Sequence, residues 1–504
     1  VPPSARLTLD PAFRIGPVDP RLFGSFVEHM GRCVHTGVFE PGHPLADADG
    51  FRTDVLELTR ELGVTVVRYP GGNFVSNYRW EDGVGPVHER PARLDLAWRS
   101  LEGNRFGLNE FMAWAAKAGV EPMMALNLGT RGVAEALELV EYANHPGGTA
   151  LSELRRSHGV DKPHDVRLWC LGNELDGPWQ MGHKTAAEYG RLAAETARAL
   201  KRFDPGLSLV ACGSSNSGMP TFGSWEAEVL EATYEMVDYV SLHAYYDPTD
   251  GDTDSFLASG ADMDHMIRSI AATADHVGAR LRSKKKIMLS FDEWNVWYQS
   301  RFGGESSLGW TEHPRLIEDT YDVTDAVVVG SLLITLLRNA DRVGVACQAQ
   351  LANVIAPIRT EPGGPAWRQT IFHPFALTAR HARGQVLRVE PECAVIPTAR
   401  YGDVPAIWAT ATHDEATGET TLLAVNRDRN APCDLEVALP GGMRAVEHLE
   451  LADDDPSAAN SAEAPGRVVP RPGSGARVEG RRASLRLSPS SWNIVRFAPA
   501  SPQE

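Results

Sequence analysis

Leu168-Trp169-Cys170-Leu171-Gly172-Asn173-Glu174 is a short apolar run that ends in a glycine and two polar side chains. An unbroken apolar run of strand length reads as a β-strand buried on both faces, as in a parallel sheet. Including its first residues, the run is Val166–Leu171, and seven others resemble it: Leu22–Val27, Val64–Tyr69, Pro122–Leu128, Leu207–Cys212, Val237–His243, Ile287–Phe291 and Val343–Gln348. Helical stretches separate them. In Thr185–Lys201, for example, Ala, Leu and Tyr recur at three- and four-residue spacing. Eight strands alternating with helices predict an α/β fold, a (β/α)8 TIM barrel over residues 15–384. A doubly wound sheet is the competing topology, but no GxGxxG follows the first strand.

Beyond the helix-like Phe375–His381 the texture changes. Ala406–Ala411, Thr421–Val425, Leu435–Leu439, Ala483–Leu487 and Ile494–Phe497 are strand-like runs separated by Asp, Gly, Pro and Asn turns. They predict a C-terminal antiparallel β-sandwich over residues 385–504, jelly-roll-like, to which residues 1–14 contribute a strand through Ala5–Leu9. Ala452–Gly480 reads as an exposed loop. The sandwich offers few aromatics, so it is expected to be structural and not a carbohydrate-binding module.

With 43% hydrophobic residues in 504, the chain can bury a large core, which excludes disorder and small disulfide scaffolds. The formal charge of −17 repels phosphate backbones and anionic bilayers, so neither nucleic acid nor membrane is an expected partner. The longest apolar run, Ala326–Leu337, is too short to span a bilayer and is fenced by Asp325 and Arg338. The six cysteines form no CxxC and read as buried free thiols of a reducing compartment. No basic-then-apolar leader opens the chain, and a cytoplasmic location is expected.

In a barrel enzyme the chemistry sits at the C-terminal ends of the strands. Here two runs end in Glu174 and Glu293, 119 residues apart; others end in Glu28-His29, Arg68-Tyr69-Pro70-Gly71-Gly72-Asn73, His243-Ala244-Tyr245-Tyr246 and Gln348-Ala349-Gln350. Glycoside hydrolysis needs two carboxyl groups facing one anomeric carbon. Trp169, Trp179, Trp294 and Trp297 are candidates for the apolar walls that keep one of them protonated and for sugar-stacking surfaces. Taken singly, a glutamate after a strand is more often a cap or a solvated charge, and Asp292 is as readily a structural partner as a catalyst. His29, His35 and His43 come without HExxH, so no metal and no cofactor are expected, and the absence of GxSxG argues against a serine hydrolase.

Leu-Gly-Asn-Glu-Leu-Asp-Gly-Pro-Trp around Glu174 and Phe-Asp-Glu-Trp-Asn-Val-Trp-Tyr around Glu293 resemble the two catalytic motifs of the family 51 α-L-arabinofuranosidases, retaining barrel glycosidases of clan A. Phe26–His29, Arg68–Asn73, His243–Tyr246 and Ala349–Pro357 carry the resemblance through the whole barrel. It implies Glu174 as acid/base and Glu293 as nucleophile. Asn173 would hold the sugar 2-hydroxyl, Tyr245 would bond the nucleophile, and Arg68 and His243 would support the pair. Glu28, Asn73 and Gln350 would bind the other hydroxyls, with Trp98, Trp179 and Trp297 shaping the mouth. The implied activity is removal of terminal α-L-arabinofuranosyl units from small oligosaccharides by a homo-oligomer, a hexamer. A β-D-galactofuranosidase or other clan A glycosidase of the same mechanism and a catalytically silent sugar-binding barrel are the alternatives. Two departures stand near pocket loops: His35 in place of an expected Tyr, and Leu101–Arg105 in place of a more Thr- and Glu-rich turn.

Overall fold

The computed structural model describes residues 3–500. All eight apolar runs become strands of one closed barrel: β1 (Gly24–Phe26), β2 (Val66–Tyr69), β3 (Glu121–Ala125), β4 (Leu168–Leu171), β5 (Ser208–Ala211), β6 (Tyr239–Tyr246), β7 (Met288–Val296) and β8 (Val343–Ala349). Chain neighbours pair in parallel and β8 closes on β1. Alternation explains why the runs are apolar on both faces. Leu168 and Cys170 point into the small barrel interior with Val66, Met123, Val210 and Cys347, while Trp169 and Leu171 pack outward under the helices. Ala186–Phe203 starts where Thr185 and Glu188 form a reciprocal capping box.

The C-terminal runs form two facing sheets around their own core. Ser4–Thr8 enters the four-stranded sheet, parallel to Cys433–Ala438, a departure from the all-antiparallel expectation; Arg14–Pro17 edges the seven-stranded sheet beside Gln385–Leu387. Within the expected loop, Arg471–Pro472 and Arg477–Glu479 are short strands.

The helix Val323–Arg338 contains the longest apolar run, and its composition follows from its position. One side packs on the barrel helices, and the other carries strands Ile407–His413, Thr420–Asn426 and Ser491–Pro499 of the sandwich. A helix covered on both sides is apolar all round. Its Gly330 admits the ring of the fully buried Trp492, where any Cβ would collide. Gly330→Ala should therefore destabilise the protein by about 1–3 kcal/mol, the usual effect of overpacking. An unchanged thermal unfolding midpoint would contradict this packing.

Among the described residues no helix is long and apolar enough to cross a membrane. None of the six cysteines is in a disulfide, and all but the half-buried Cys393 are buried.

Candidate active site

A cleft of about 690 Å³ opens at the C-terminal end of the barrel, lined by Glu174 and Glu293 together with Glu28, Asn73, Tyr245 and Gln350. Trp98, Trp179 and Trp297 also line it, whereas Arg68, Asn173 and His243 lie buried directly behind. Trp169 and Trp294, considered as walls, do not contribute. Both point away from the barrel axis, Trp169 bonding the Val166 carbonyl and Trp294 stacking on Phe375.

The two carboxylates are positioned by different devices. Glu174 leaves β4 through Gly172 and has φ +43, an uncommon backbone conformation for a side chain of its size; it caps no helix. Glu293 lies inside β7, which runs five residues beyond the apolar run that predicts it. Between β6 and β7 the register slips, pairing Ser241 with Ser290 but His243 with Glu293. This extra residue in β7 lets Asp292 and Glu293, adjacent in sequence, both reach His243.

His243 joins the acids. Its Nδ1 lies 2.8 Å from Glu174 and 3.7 Å from Glu293, and its Nε2 lies 2.8 Å from Asp292. One oxygen each of Glu174 and Glu293 and a His243 nitrogen lie within 4.8 Å of one another. Arg68 donates to Glu293 Oε1 and to Asn173 Oδ1, both at 2.7 Å, and Tyr245 donates to Glu293 Oε2 at 2.8 Å. Trp179 donates to Glu174 Oε2 at 2.9 Å. Glu28 accepts from the Phe74 amide, the Trp98 indole and the Gln350 amide at 3.0–3.1 Å. Asn173 Nδ2 is 3.4 Å from Asn73 Oδ1, a long bond that leaves the amide able to donate into the cleft.

Burial and the neighbouring Glu293 charge push Glu174 above the ordinary carboxylate range, against the bonds from His243 and Trp179. Burial pulls the His243 imidazole down, but Glu293, Asp292 and Glu174 outweigh it and push it up to about 10. Asp292 would rise on burial, yet the Arg68 charge and His243 hold it low. It is the anionic partner of His243, a role intermediate between the two read from sequence. Burial and the Glu293 charge raise Glu28 to about 8.

Gly71 and Gly72 do more than turn the chain. A Cβ on Gly72 would stand 2.8 Å from Glu293 Oε1, and one on Gly71 2.8 Å from Glu28 Cγ. On the role that the family resemblance implies for Glu293, Gly72→Ala should lower kcat/KM by about 100-fold, since displacing a reacting group by an ångström costs that much. An unaffected rate in the folded variant would contradict the contact.

Of the two departures, neither reaches the cleft. His35 is buried, stacks on His313 at 3.7 Å and faces Glu102 at 3.6 Å; Glu102 also bonds His29 at 3.1 Å. Glu102 ends the hairpin Arg93–Asp95/Ser100–Glu102 that carries Trp98, so the cluster supports the pocket wall from behind. Among the described residues, His29, His35 and Glu102 are one of two groups whose ligand-type atoms could converge on a metal ion; Glu174, His243 and Glu293 are the other. Both are held by hydrogen bonds among their own members. The sequence reading missed the outer rim: Ser215, Asn216, Ser217 and Asp262 from the barrel, and Arg400 and Tyr401 from the C-terminal region. No motif marks them.

Known proteins resemble the chain over most of its length. The families described as Alpha-L-arabinofuranosidase 1 domain and Alpha-L-arabinofuranosidase C-terminal domain match residues 58–265 and 292–491. An intracellular exo-alpha-(1->5)-L-arabinofuranosidase of Streptomyces lividans is 63% identical over 99% of this chain and 76% of its own length. An exo-alpha-(1->6)-L-arabinofuranosidase of Bifidobacterium longum is 54% identical over 97% of each chain. The solved structure of AbfB, a family 51 alpha-L-arabinofuranosidase from Bifidobacterium longum, superposes with a TM-score of 0.95 at 48% identity, covering 99% of this chain and 100% of that one. Matched by these family models and relatives along nearly its whole length, the chain belongs to glycoside hydrolase family 51, the α-L-arabinofuranosidases.

Proposed function

We propose that the chain removes terminal non-reducing α-L-arabinofuranosyl units from short, α-(1→5)-linked arabino-oligosaccharides and from arabinoxylo-oligosaccharides, with retention of configuration. The observation that carries the mechanism is the approach of a Glu174 and a Glu293 oxygen to within 4.8 Å. Retaining enzymes hold their carboxyl groups about 5–5.5 Å apart, whereas inverting ones need about 6.5–9.5 Å to admit a water.

Glu293, held by Arg68 and Tyr245, attacks the anomeric carbon as Glu174 gives its proton to the departing oxygen. The C–O bond to the leaving group breaks and a glycosyl ester on Glu293 forms. Glu174, now a carboxylate, takes a proton from water; that water opens the ester and the arabinose leaves with its original configuration. Protonated His243 lies between Glu174 and Asp292 and stabilises the negative charge Glu174 acquires. Half-buried Asn73 and buried Glu28, Asn173 and Gln350 ring one small sugar, so analogues that leave these groups unpaired are disfavoured.

A panel of nitrophenyl glycosides tests the glycone: α-L-arabinofuranoside is expected to be cleaved faster than β-D-galactofuranoside or β-D-xylopyranoside, and the opposite order overturns the reading. Competition between α-(1→5)- and α-(1→6)-linked arabinobiose tests the linkage, with the former preferred. The residues described perform this chemistry without a metal, so EDTA should leave the rate unchanged. An intracellular location and a hexameric assembly complete the proposal, supported by the relatives' description and by family resemblance respectively. Light scattering that returned a monomer mass would contradict the assembly.

A further inference from the structure

Strand order divides the cleft into two arcs. Gln350, Glu28 and Asn73 follow β8, β1 and β2, which are neighbours on one side of the barrel. Glu174 follows β4, Ser217 follows β5, Tyr246 ends β6 and Asp262 lies beyond it, all on the opposite side. A proton donor must face the oxygen that departs. On the role proposed above for Glu174, the first arc grips the sugar that is cut off and the second faces the leaving group.

The second arc is completed by a piece of the C-terminal region. The two-stranded hairpin Val395–Thr398/Gly402–Pro405 belongs to neither sandwich sheet and buries little of its own surface. Packing within the sandwich therefore does not explain where its turn is aimed. The turn is tight: Thr398 Oγ1 accepts from the Tyr401 amide at 3.0 Å and donates to the Gly402 carbonyl at 2.8 Å. It is also fastened to the barrel, where the Arg400 amide donates to Ser255 Oγ at 3.2 Å on the helix Thr253–Leu257 that follows β6. Exposed Arg400 and half-buried Tyr401 thereby line the same cleft as Glu174. Also lining it is Asp262, its two oxygens oriented by Tyr246 at 3.0 Å and Ser217 at 3.2 Å.

The geometry points to a leaving-group subsite in which the C-terminal region takes part: Arg400, Tyr401 and Asp262 bind the sugar unit next to the scissile bond, a neutral residue of the oligosaccharide. The chemistry fits such a ligand. Arg400 offers a fork of donors, Asp262 spare acceptor lone pairs, and Tyr401 a ring face for sugar C–H groups with a hydroxyl at its edge. A flat aryl leaving group offers no hydroxyls to this set. On this proposal the C-terminal region, expected to be structural, also contributes through this hairpin to selecting the substrate.

The test compares wild type, Arg400→Ala, Tyr401→Ala and the double variant on α-(1→5)-arabinotriose and on nitrophenyl α-L-arabinofuranoside. Arg400→Ala is expected to lower kcat/KM for the trisaccharide by about tenfold, the scale of a hydrogen bond to a charged group, and Tyr401→Ala by about fivefold, the scale of a neutral hydrogen bond or a stacking face, both chiefly through KM. For the aryl glycoside the Arg400→Ala change should stay below about twofold, because no hydrogen bond to the leaving group is lost; turnover of the aryl glycoside also shows that the variants are folded. Arg400→Lys should recover part of the trisaccharide rate. Parallel losses on both substrates, or no loss on either, would overturn the subsite. A wild type that cleaves the aryl glycoside but not the trisaccharide would also overturn it. A wild type inactive on both would instead overturn the functional reading on which the subsite rests.

Discussion

Glu293→Gln is expected to lower kcat by a factor on the order of 10^4–10^6, the range found when a nucleophile that forms the covalent intermediate is removed. The amide keeps the volume and an acceptor for Arg68 while removing the attacking charge. Glu293→Ala should lose as much activity but is the poorer probe, because it strands the buried Arg68 guanidinium without its partner. Breaking a buried pair in that way costs about 3–5 kcal/mol of stability. No neighbour can substitute for Glu293: Asp292, one residue away, is fully buried and committed to His243 and Ser290. Turnover of nitrophenyl α-L-arabinofuranoside, read beside the thermal midpoint, separates the two effects. A folded Glu293→Gln protein with more than about a hundredth of wild-type kcat would remove Glu293 from the nucleophile's role.

The barrel was legible because each of its strands is covered on both faces and so is written as a short apolar run, repeated eight times between helical stretches. Strand lengths were less legible. β6 and β7 continue through Ala244–Tyr246 and Asp292–Val296, where polar side chains interrupt the apolar pattern, among them the cleft-lining Tyr245, Tyr246 and Glu293. In the sandwich, Met443–Leu451 escaped notice because nearly all its side chains remain partly accessible, giving a charged sequence with no clean alternation. Within the site, most cleft-lining residues could be named from their places after strands, but not their directions. A register slip in β7 brings Asp292 to His243 and strand alternation sends Trp294 outward, and neither is encoded in spacing. Arg400 and Tyr401 lay beyond reach for another reason: they enter the cleft by docking of a hairpin about 150 residues from the nearest barrel contact in the chain, and long-range docking leaves no local pattern.

Glu174→Ala should behave differently from the nucleophile variants, and the difference depends on the leaving group. For arabino-oligosaccharides, whose departing alkoxide needs a proton, loss of the general acid should lower kcat/KM by about 10^2–10^4. For an aryl glycoside with a good leaving group, ester formation on Glu293 should survive and only its hydrolysis should slow, so a burst of phenol precedes a slow steady state. Azide needs no general base. It can enter the space vacated by the carboxylate and should accelerate turnover, giving a glycosyl azide of retained configuration. The pH profile supplies an independent check. Burial and the Glu293 charge hold the Glu174 proton above the ordinary carboxylate range, so wild-type kcat/KM should fall as pH rises through that raised value, where the acid form is lost. With Glu174→Ala on an activated substrate, the Glu174 contribution to that basic limb should disappear. A basic limb unchanged in the variant would assign it to another group, with Glu28, raised to about 8 by burial and the Glu293 charge, the next to test. Failure of azide to rescue a folded Glu174→Ala protein, or an azide product of inverted configuration, would show that the two carboxylates do not divide the reaction as their geometry indicates.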